Sequence, residues 1–475
     1  MSRPLACQTG LCFVLAALAA AVVFGSQSGA QAAEPAWRVG LANASITPDE
    51  PIRMAGYAGR TQLSEGVLDD LFAKAMALED AGGSRALLIS ADLIGFRAPL
   101  AEAICRAIGE KTALRRQQIL LCPSHTHAGP VLGYKEAGRY GLPDDQLEVV
   151  HNYTSGVVAQ LTDLAAAALA DLKPAKLSWG TGMATFVMNR REFTDRGVRL
   201  GVNPSGYADR AVPVLRVDSP DGQLRAVVFG CACHNTTCTG GNLQICGDYA
   251  GFAQGAIQEE HPGVQAMFVI GCGGDSNPYP RSTTELAQEH GKSLAAVVCR
   301  VLGEQLSSVE GPLRAEIDWV KLPLAPVPPQ EKLKEMAEGP TWTSYNAVRM
   351  LEALAGGEAL LNEYEAPFAV WQFGDDLTLV AMPGETVGGY VPLLRDALGP
   401  RKLWIAGYAN DCFGYLPTVR VLAEGGYETR GLIGEAGFFA PEAQDVAVAA
   451  VRRLAERAGR PLPENAADAV SVPGH

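Results

Sequence analysis

Five times in this chain an apolar run of strand-forming residues breaks off into a short loop rich in groups that can do chemistry. The stretches are QQILLCPSHTHAGP (117–130), AVVFGCACHNTT (226–237), VQAMFVIGCGGDSNP (264–278), DLTLVAMPGE (376–385) and KLWIAGYANDCFGYLP (402–417). Before, between and after them lie segments with apolar residues at helical spacing: APLAEAICRAIGEKTAL, the long run from Leu147 to Leu172, YAGFAQGAIQEE, STTELAQEHGKSLAAVVCRVL and the closing APEAQDVAVAAVRRLAERAG. Strands alternating with helices predict an α/β chain, and α/β chains place their sites in the loops beyond strand ends. Hairpins are also expected, around DAGGS, around SPDG and across FAVWQFGDDLTLVAMPGE. The expected class is therefore α/β with layered, mixed parallel and antiparallel sheets flanked by helices.

Residues 1–32 read as a secretory signal peptide. Arg3 precedes the apolar run LCFVLAALAAAVVFG, and Ala30-Gln31-Ala32 supplies small residues at the cleavage positions. The mature chain is thus expected to be exported, periplasmic or secreted, with no transmembrane span after cleavage. Residues 33–475 are expected to form a single domain. The stretch rich in Pro, Glu and Lys at 323–340 is read as a surface excursion, because candidate site residues lie on both sides of it. A net charge of −13 with no Lys/Arg block argues against a nucleic-acid partner.

The chain has seven histidines. His475 is the tail residue, His151 opens the long helix, and His261 and His290 read as solvated helix positions. That leaves His125, His127 and His234, each just beyond an apolar strand. If the strand continues through SHTHAGP, His125 and His127 share a face, so one can bind a metal while the other acts beside it as acid or base. Two polar loop histidines with ordinary hydrogen bonds remain the plain alternative. Glu385 follows the tight turn Pro383-Gly384, while Tyr415 and Tyr427 sit in the loops FGYLP and GGYET. Asp92 and Asp248 suit either partners of site residues or helix N-caps, and Asp275 either orients a ligand or holds its turn. The segment CACHNTTC lacks both zinc-finger spacing and the CxxC of a redox dithiol. Alternation puts Cys231 and Cys233 opposite His234, so the cysteines read as packing residues, with one or two bridges open among Cys231, Cys233, Cys238 and Cys246.

The ordered set ASITPDEPIRMAGYAGR, SADLIGF, SHTHAGP, NRR (189–191), a strand-end histidine followed by GDYAGFA, GCGGDSNP, MPGE, ANDCFGYLP and GGYET resembles the catalytic domain of the neutral ceramidase family, across residues 38–435. The resemblance implies a zinc-dependent amidase that splits the N-acyl bond of ceramide into sphingosine and fatty acid. It implies one Zn²⁺ per chain, held by His125, His234, Glu385 and Tyr415. His127, Arg190 and Tyr427 would line the reaction centre, with Asn235 and Asn277 in the substrate loops beside Asp92, Asp248 and Asp275. The implied partner is a small-molecule or lipid N-acyl amide, with peripheral contact to a lipid surface. The family's HGTSM-type segment reads HNTTC here, and Asn277 falls where the family carries a serine. The family's C-terminal immunoglobulin-like domain is expected to be absent. Two rival readings remain: a two-metal amidohydrolase or esterase beginning with HxH, which needs further well-placed histidines, and a non-catalytic lipid- or glycan-binding member of the fold.

Overall fold

The hairpin expected around DAGGS lies within the largest sheet of the computed structural model, which describes residues 36–134, 141–339 and 343–463. The segment 1–32, read from the sequence as a signal peptide, and the tail carrying His475 lie outside the described residues. Eight strands follow one path: β1 (Trp37–Ser45), β2 (Phe72–Asp80), β3 (Arg85–Ala91), β4 (Ile119–Pro123), β5 (Lys173–Met183), β6 (Ala211–Asp218), β7 (Leu224–Cys231) and β8 (Gln265–Ile270). Their order is β8-β7-β6-β5-β1-β2-β3-β4, and the short strand Ser307–Val309 pairs with β5. A second sheet orders β9 (Leu313–Pro323), β10 (Glu363–Phe373), β11 (Leu377–Ala381) and β12 (Leu403–Ala406) in sequence.

Along these two paths the strands are antiparallel except in three pairs, β3–β4, β7–β8 and β11–β12. A parallel pair needs a crossover. Helices α1 (Ala98–Thr112), α3 (Asp248–Glu260) and α7 (Tyr390–Leu398) supply these three crossovers, while α2 (Asp144–Ala170) joins β4 to β5 and α4 (Thr284–Leu302) follows β8. The five chemistry-bearing loops all leave the C-terminal ends of strands in these parallel pairs: β4, β7, β8, β11 and β12. The two sheets meet at these ends, where Gly271 bridges to Ala406 and the Gly407 amide donates to the Ile270 carbonyl at 3.0 Å.

Period-two alternation explains the layers. On β2, Ala73, Ala75 and Ala77 pack towards α1 and α2, while Met76 and Leu78 face the other way onto Trp371, Phe373 and Trp404 of the second sheet. The outer face of that second sheet is covered by α7 and by α9 (Ala443–Arg457). The result is a helix–sheet–sheet–helix stack, a mixed α/β architecture of the expected class. The Pro-rich excursion is inserted between β9 and β10, which pair from Leu313↔Phe373 to Pro323↔Glu363. It carries α5 (Gln330–Glu338) and α6 (Ser344–Ala355). The short α8 (Val419–Glu424) precedes the GGYET turn. No helix among the described residues is long and apolar enough to cross a membrane.

Two expectations fail locally. Strand β4 ends at Pro123, and His125 takes a left-handed backbone (φ 61°), so strand alternation does not explain how His125 and His127 come together. His290 is buried rather than solvated, stacked on Phe186 with Nε2 at 2.6 Å from the Pro280 carbonyl. All nine cysteines from Cys105 to Cys412 are thiols, so none of the bridges left open at 231–246 is formed. Cys231 and Cys233 pack in the core under α3 and α4, away from the ring of His234.

Candidate metal centre

Each histidine ring is aimed by its loop. The left-handed turn at His125 lets its amide reach the Leu93 carbonyl at 2.9 Å, and its Nδ1 donates to the Ile94 carbonyl at 2.6 Å. His234 is tied by its own amide to the Ser276 carbonyl and by Nδ1 to the Gly273 carbonyl at 2.8 Å. A carbonyl can only accept, so the neutral form of each ring carries its proton on Nδ1 and turns the Nε2 lone pair inward. These lone pairs converge. His127 Nε2 lies 3.2 Å from His125 Nε2, while Glu385 Oε2 lies 3.0 Å from His234 Nε2 and 3.4 Å from His125 Nε2. The three imidazoles offer nitrogens within 4.8 Å of one another.

Electrostatics sharpen the picture. Burial pushes His234 down to about 4, and burial with the neighbouring His125 and His234 holds His127 well below its ordinary value, so both rings stay neutral at physiological pH. Burial alone would raise the Glu385 carboxyl, but its close neighbours, His125 first and then His234, outweigh burial and hold it well below the usual range. Nitrogen and carboxylate lone pairs thus face one another in a buried pocket, an arrangement that a cation relieves. A set of neutral imidazoles plus a carboxylate matches the ligand preference of zinc. His127 belongs to this cluster as its third imidazole, and its Nδ1 is buried without a hydrogen-bond partner among the described residues.

Tyr415 closes the other side, its hydroxyl 3.4 Å from His234 Nε2 and its ring stacked on His234. Arg190 Nη2 donates to that hydroxyl at 3.0 Å. Glu428 binds Arg190 Nε at 2.8 Å and Arg191 Nη1 at 2.6 Å, and all three side chains are buried. Tyr427 packs edge-on to Tyr415 at 5.4 Å and takes a hydrogen bond from Arg430 at 2.6 Å.

The remaining candidates support loops rather than touch the cluster. Asp92 accepts from the Phe72 amide and Gln254, tying β2 to α3. Asn235 bonds the Gly247 carbonyl and Ala250 amide, and its own carbonyl accepts from the His127 amide, linking the two histidine loops. Asp248 takes the Cys238 and Tyr249 amides at the start of α3. Asp275 holds the Gly388 amide at 2.7 Å and Asn189, while its carbonyl accepts from the Arg190 amide. Asn277 accepts from Arg190 Nη1 at 3.3 Å.

Sequence reasoning missed Glu428, Tyr408 and Tyr57. Tyr408 (φ 58°) packs its ring 4.5 Å from His125, and Tyr57 stands edge-on to His127 at 5.1 Å. Glu428 and Tyr408 lie within GGYET and KLWIAGYANDC, so proximity to Tyr427 and Tyr415 was their only signal. The cluster opens into a cavity of about 260 Å³ whose walls include Ile94, Arg97, Leu132, Tyr345, Arg430 and Ile433.

Fold and site together define an α/β protein with a buried polyhistidine–carboxylate centre at the C-terminal ends of parallel strand pairs. The chain belongs to the neutral/alkaline non-lysosomal ceramidase family, whose N-terminal model it matches over residues 37–313. It is similar to the neutral ceramidase of Pseudomonas aeruginosa, 25% identical over 339 residues, covering 66% of this chain and 49% of that protein. The chain thus spans about half the length of this curated relative. The crystal structure of neutral ceramidase from Pseudomonas aeruginosa superposes with a TM-score of 0.69 at 20% identity, covering 90% of this chain and 76% of that one. A ceramidase complexed with C2 superposes at 0.70 with the same identity and coverage.

Proposed function

We propose that this chain is an exported, zinc-dependent amidase that cleaves an N-acyl amide, in ceramide or a related N-acyl lipid, to an amine and a fatty acid. The observation that carries the reading is the convergence of His125, His234, Glu385 and the Tyr415 hydroxyl on one buried point. These four would hold one zinc ion. Bound zinc supplies a Lewis acid and a water acidified to a pKa of about 7.

The chain's own groups carry the rest. The Nδ1 hydrogen bonds to Ile94 and Gly273 keep the Nε2 lone pairs of His125 and His234 facing inward. His127 Nε2, beside His125, takes the proton of the attacking water and returns it to the leaving amine. Arg190 donates a charge-assisted hydrogen bond to the Tyr415 oxygen, which works against the burial that raises this phenol well above its ordinary value. Tyr427 lines the same cavity and donates to the oxygen of the amide carbonyl as charge develops there.

The test is a panel of ceramides, N-acyl amino acids and simple esters incubated with purified protein, with and without chelator. Chelator-sensitive fatty-acid release from amides with one zinc retained per chain is expected. Two metals at the site would favour a two-metal amidohydrolase, and metal-replete protein without turnover would favour a binding protein.

A further inference from the structure

The chain carries a net charge of −13, yet the cavity above the histidine cluster has two guanidinium groups in its wall, those of Arg97 and Arg430. Among the described residues the cavity's one carboxylate is Glu385, which is occupied with His125 and His234. Arg190 nearby is neutralised by Glu428, but neither Arg97 nor Arg430 makes an ion pair among the described residues. The Arg430 side chain donates to the Tyr427 hydroxyl and lies over the rings of Tyr427 at 5.0 Å and Tyr345 at 5.9 Å. Arg97 reaches the Cys412 carbonyl at 3.3 Å, and its Nε is buried with no hydrogen-bond partner among the described residues. Asp411, whose field reaches Arg97, is taken up by the Ala98 amide at 3.0 Å and the Tyr364 hydroxyl at 2.7 Å.

Asp411 and Glu385 reach these cations through the field and not by a direct bond, and a part-buried guanidinium with unfilled N–H positions is completed by an anionic group. A planar guanidinium held between two phenol rings keeps spare N–H groups in a fixed fork, the geometry that takes a carboxylate or phosphate through two parallel bonds. The cavity is also small. About 260 Å³ lies at the lower edge of small-molecule sites, and the larger aliphatic side chains in its wall are Ile94, Leu132 and Ile433. This lining suits a compact charged head better than two long alkyl chains.

We infer that the substrate of this site carries an anionic group, a carboxylate or a phosphate, close to the scissile amide, and that Arg97 and Arg430 bind it. The inference rests on the amidase reading for the word amide, but the anion site stands on the guanidinium pair alone. The probes are matched pairs with one acyl chain: N-acylglycine against N-acylglycinamide, and N-acylethanolamine phosphate against N-acylethanolamine. Binding is measured by calorimetry on metal-free protein, and hydrolysis on metal-loaded protein, for wild type, Arg430→Gln, Arg97→Gln and Arg430→Lys.

One charged member is expected to bind roughly tenfold more tightly than its neutral partner, the size of a charge-assisted hydrogen bond. That ratio should collapse towards one in Arg430→Gln and Arg97→Gln, survive in part in Arg430→Lys and fall with added salt. Whichever pair shows the larger ratio decides between carboxylate and phosphate. Equal binding of charged and neutral members by wild-type protein overturns the inference, and if amides are still cleaved the amidase reading survives. Tighter binding of the charged member with no amide cleavage supports the anion site and removes the amidase reading.

Discussion

Replacing Glu428 by Gln tests whether the Arg190 side of the site is held by charge. Glu428 is 1% exposed, and its two oxygens bind Arg190 Nε and Arg191 Nη1. Arg191 keeps a second carboxylate in Glu424, with Nη2 to Oε2 at 3.1 Å, so the substitution does not strand it. Arg190 loses the only ion pair it makes among the described residues and retains just the Tyr415 hydroxyl and the Asn277 oxygen. Unit charges about 4 Å apart interact with about 4 kcal/mol at an effective dielectric of 20. Removing one partner of a buried pair costs about 3–5 kcal/mol. With Arg191 still compensated, the lower figure applies, so Glu428→Gln should lose about 3 kcal/mol in urea unfolding at pH 7. Burial raises the Glu428 carboxyl, but Arg190 and Arg191 outweigh it and leave it below its ordinary 4.5. A carboxylate with a lowered folded pKa stabilises fully above its unfolded value, and that contribution fades as pH falls through the folded one. The gap between wild type and variant should therefore be full at pH 7 and narrow progressively below about 4.5. A loss under about 1 kcal/mol at pH 7, or a gap unchanged by acid, would refute the argument.

Metal analysis after dialysis should find zinc lost from His234→Ala and retained by Cys233→Ala, since Cys233 packs in the core while His234 faces the cluster; equal loss in both contradicts that assignment. Gly274→Ala would bring a Cβ within 2.4 Å of the Glu385 carbonyl oxygen. It should cost about 1–3 kcal/mol in thermal or urea unfolding and weaken metal retention by shifting Glu385, whereas wild-type values would show that the loop yields freely. Tyr415→Phe keeps the ring against His234 but removes the hydroxyl 3.4 Å from Nε2. Its amide turnover should fall by about tenfold or more with the melting temperature little changed, and unchanged kcat would take Tyr415 out of the chemistry.

The strands and helices were legible because their periodicities are local: β2 alternates alanines with Met76 and Leu78, and the long α2 keeps one apolar stripe. The site was legible only to the level of its loops. That five apolar runs end in reactive residues is visible in one dimension, but which strands pair in parallel is not. Parallel pairing is what points all five loops at one place, joining His234 to Glu385 across 151 residues. The family resemblance supplied the proposed ligand set, which spacing could not. Alternation failed at His125 because a left-handed residue resets the face, and nothing in SHTHAGP signals φ > 0 at a histidine. Non-glycine residues held there cost of order 1–3 kcal/mol and cluster where surrounding structure over-determines them. His125, Asp248, Tyr408 and Asn410 all carry this conformation in or beside the site. Counter-charges were the least legible part. Glu428 and Arg430 flank the same turn two residues apart, yet one is locked between two arginines and the other faces the cavity with no direct carboxylate partner among the described residues. Their different surroundings arise from the strand Val187–Thr194, the excursion and the GGYET turn meeting in space. The electrostatic character of such a pocket is therefore a tertiary property, even where every residue that produces it stands inside a recognisable motif.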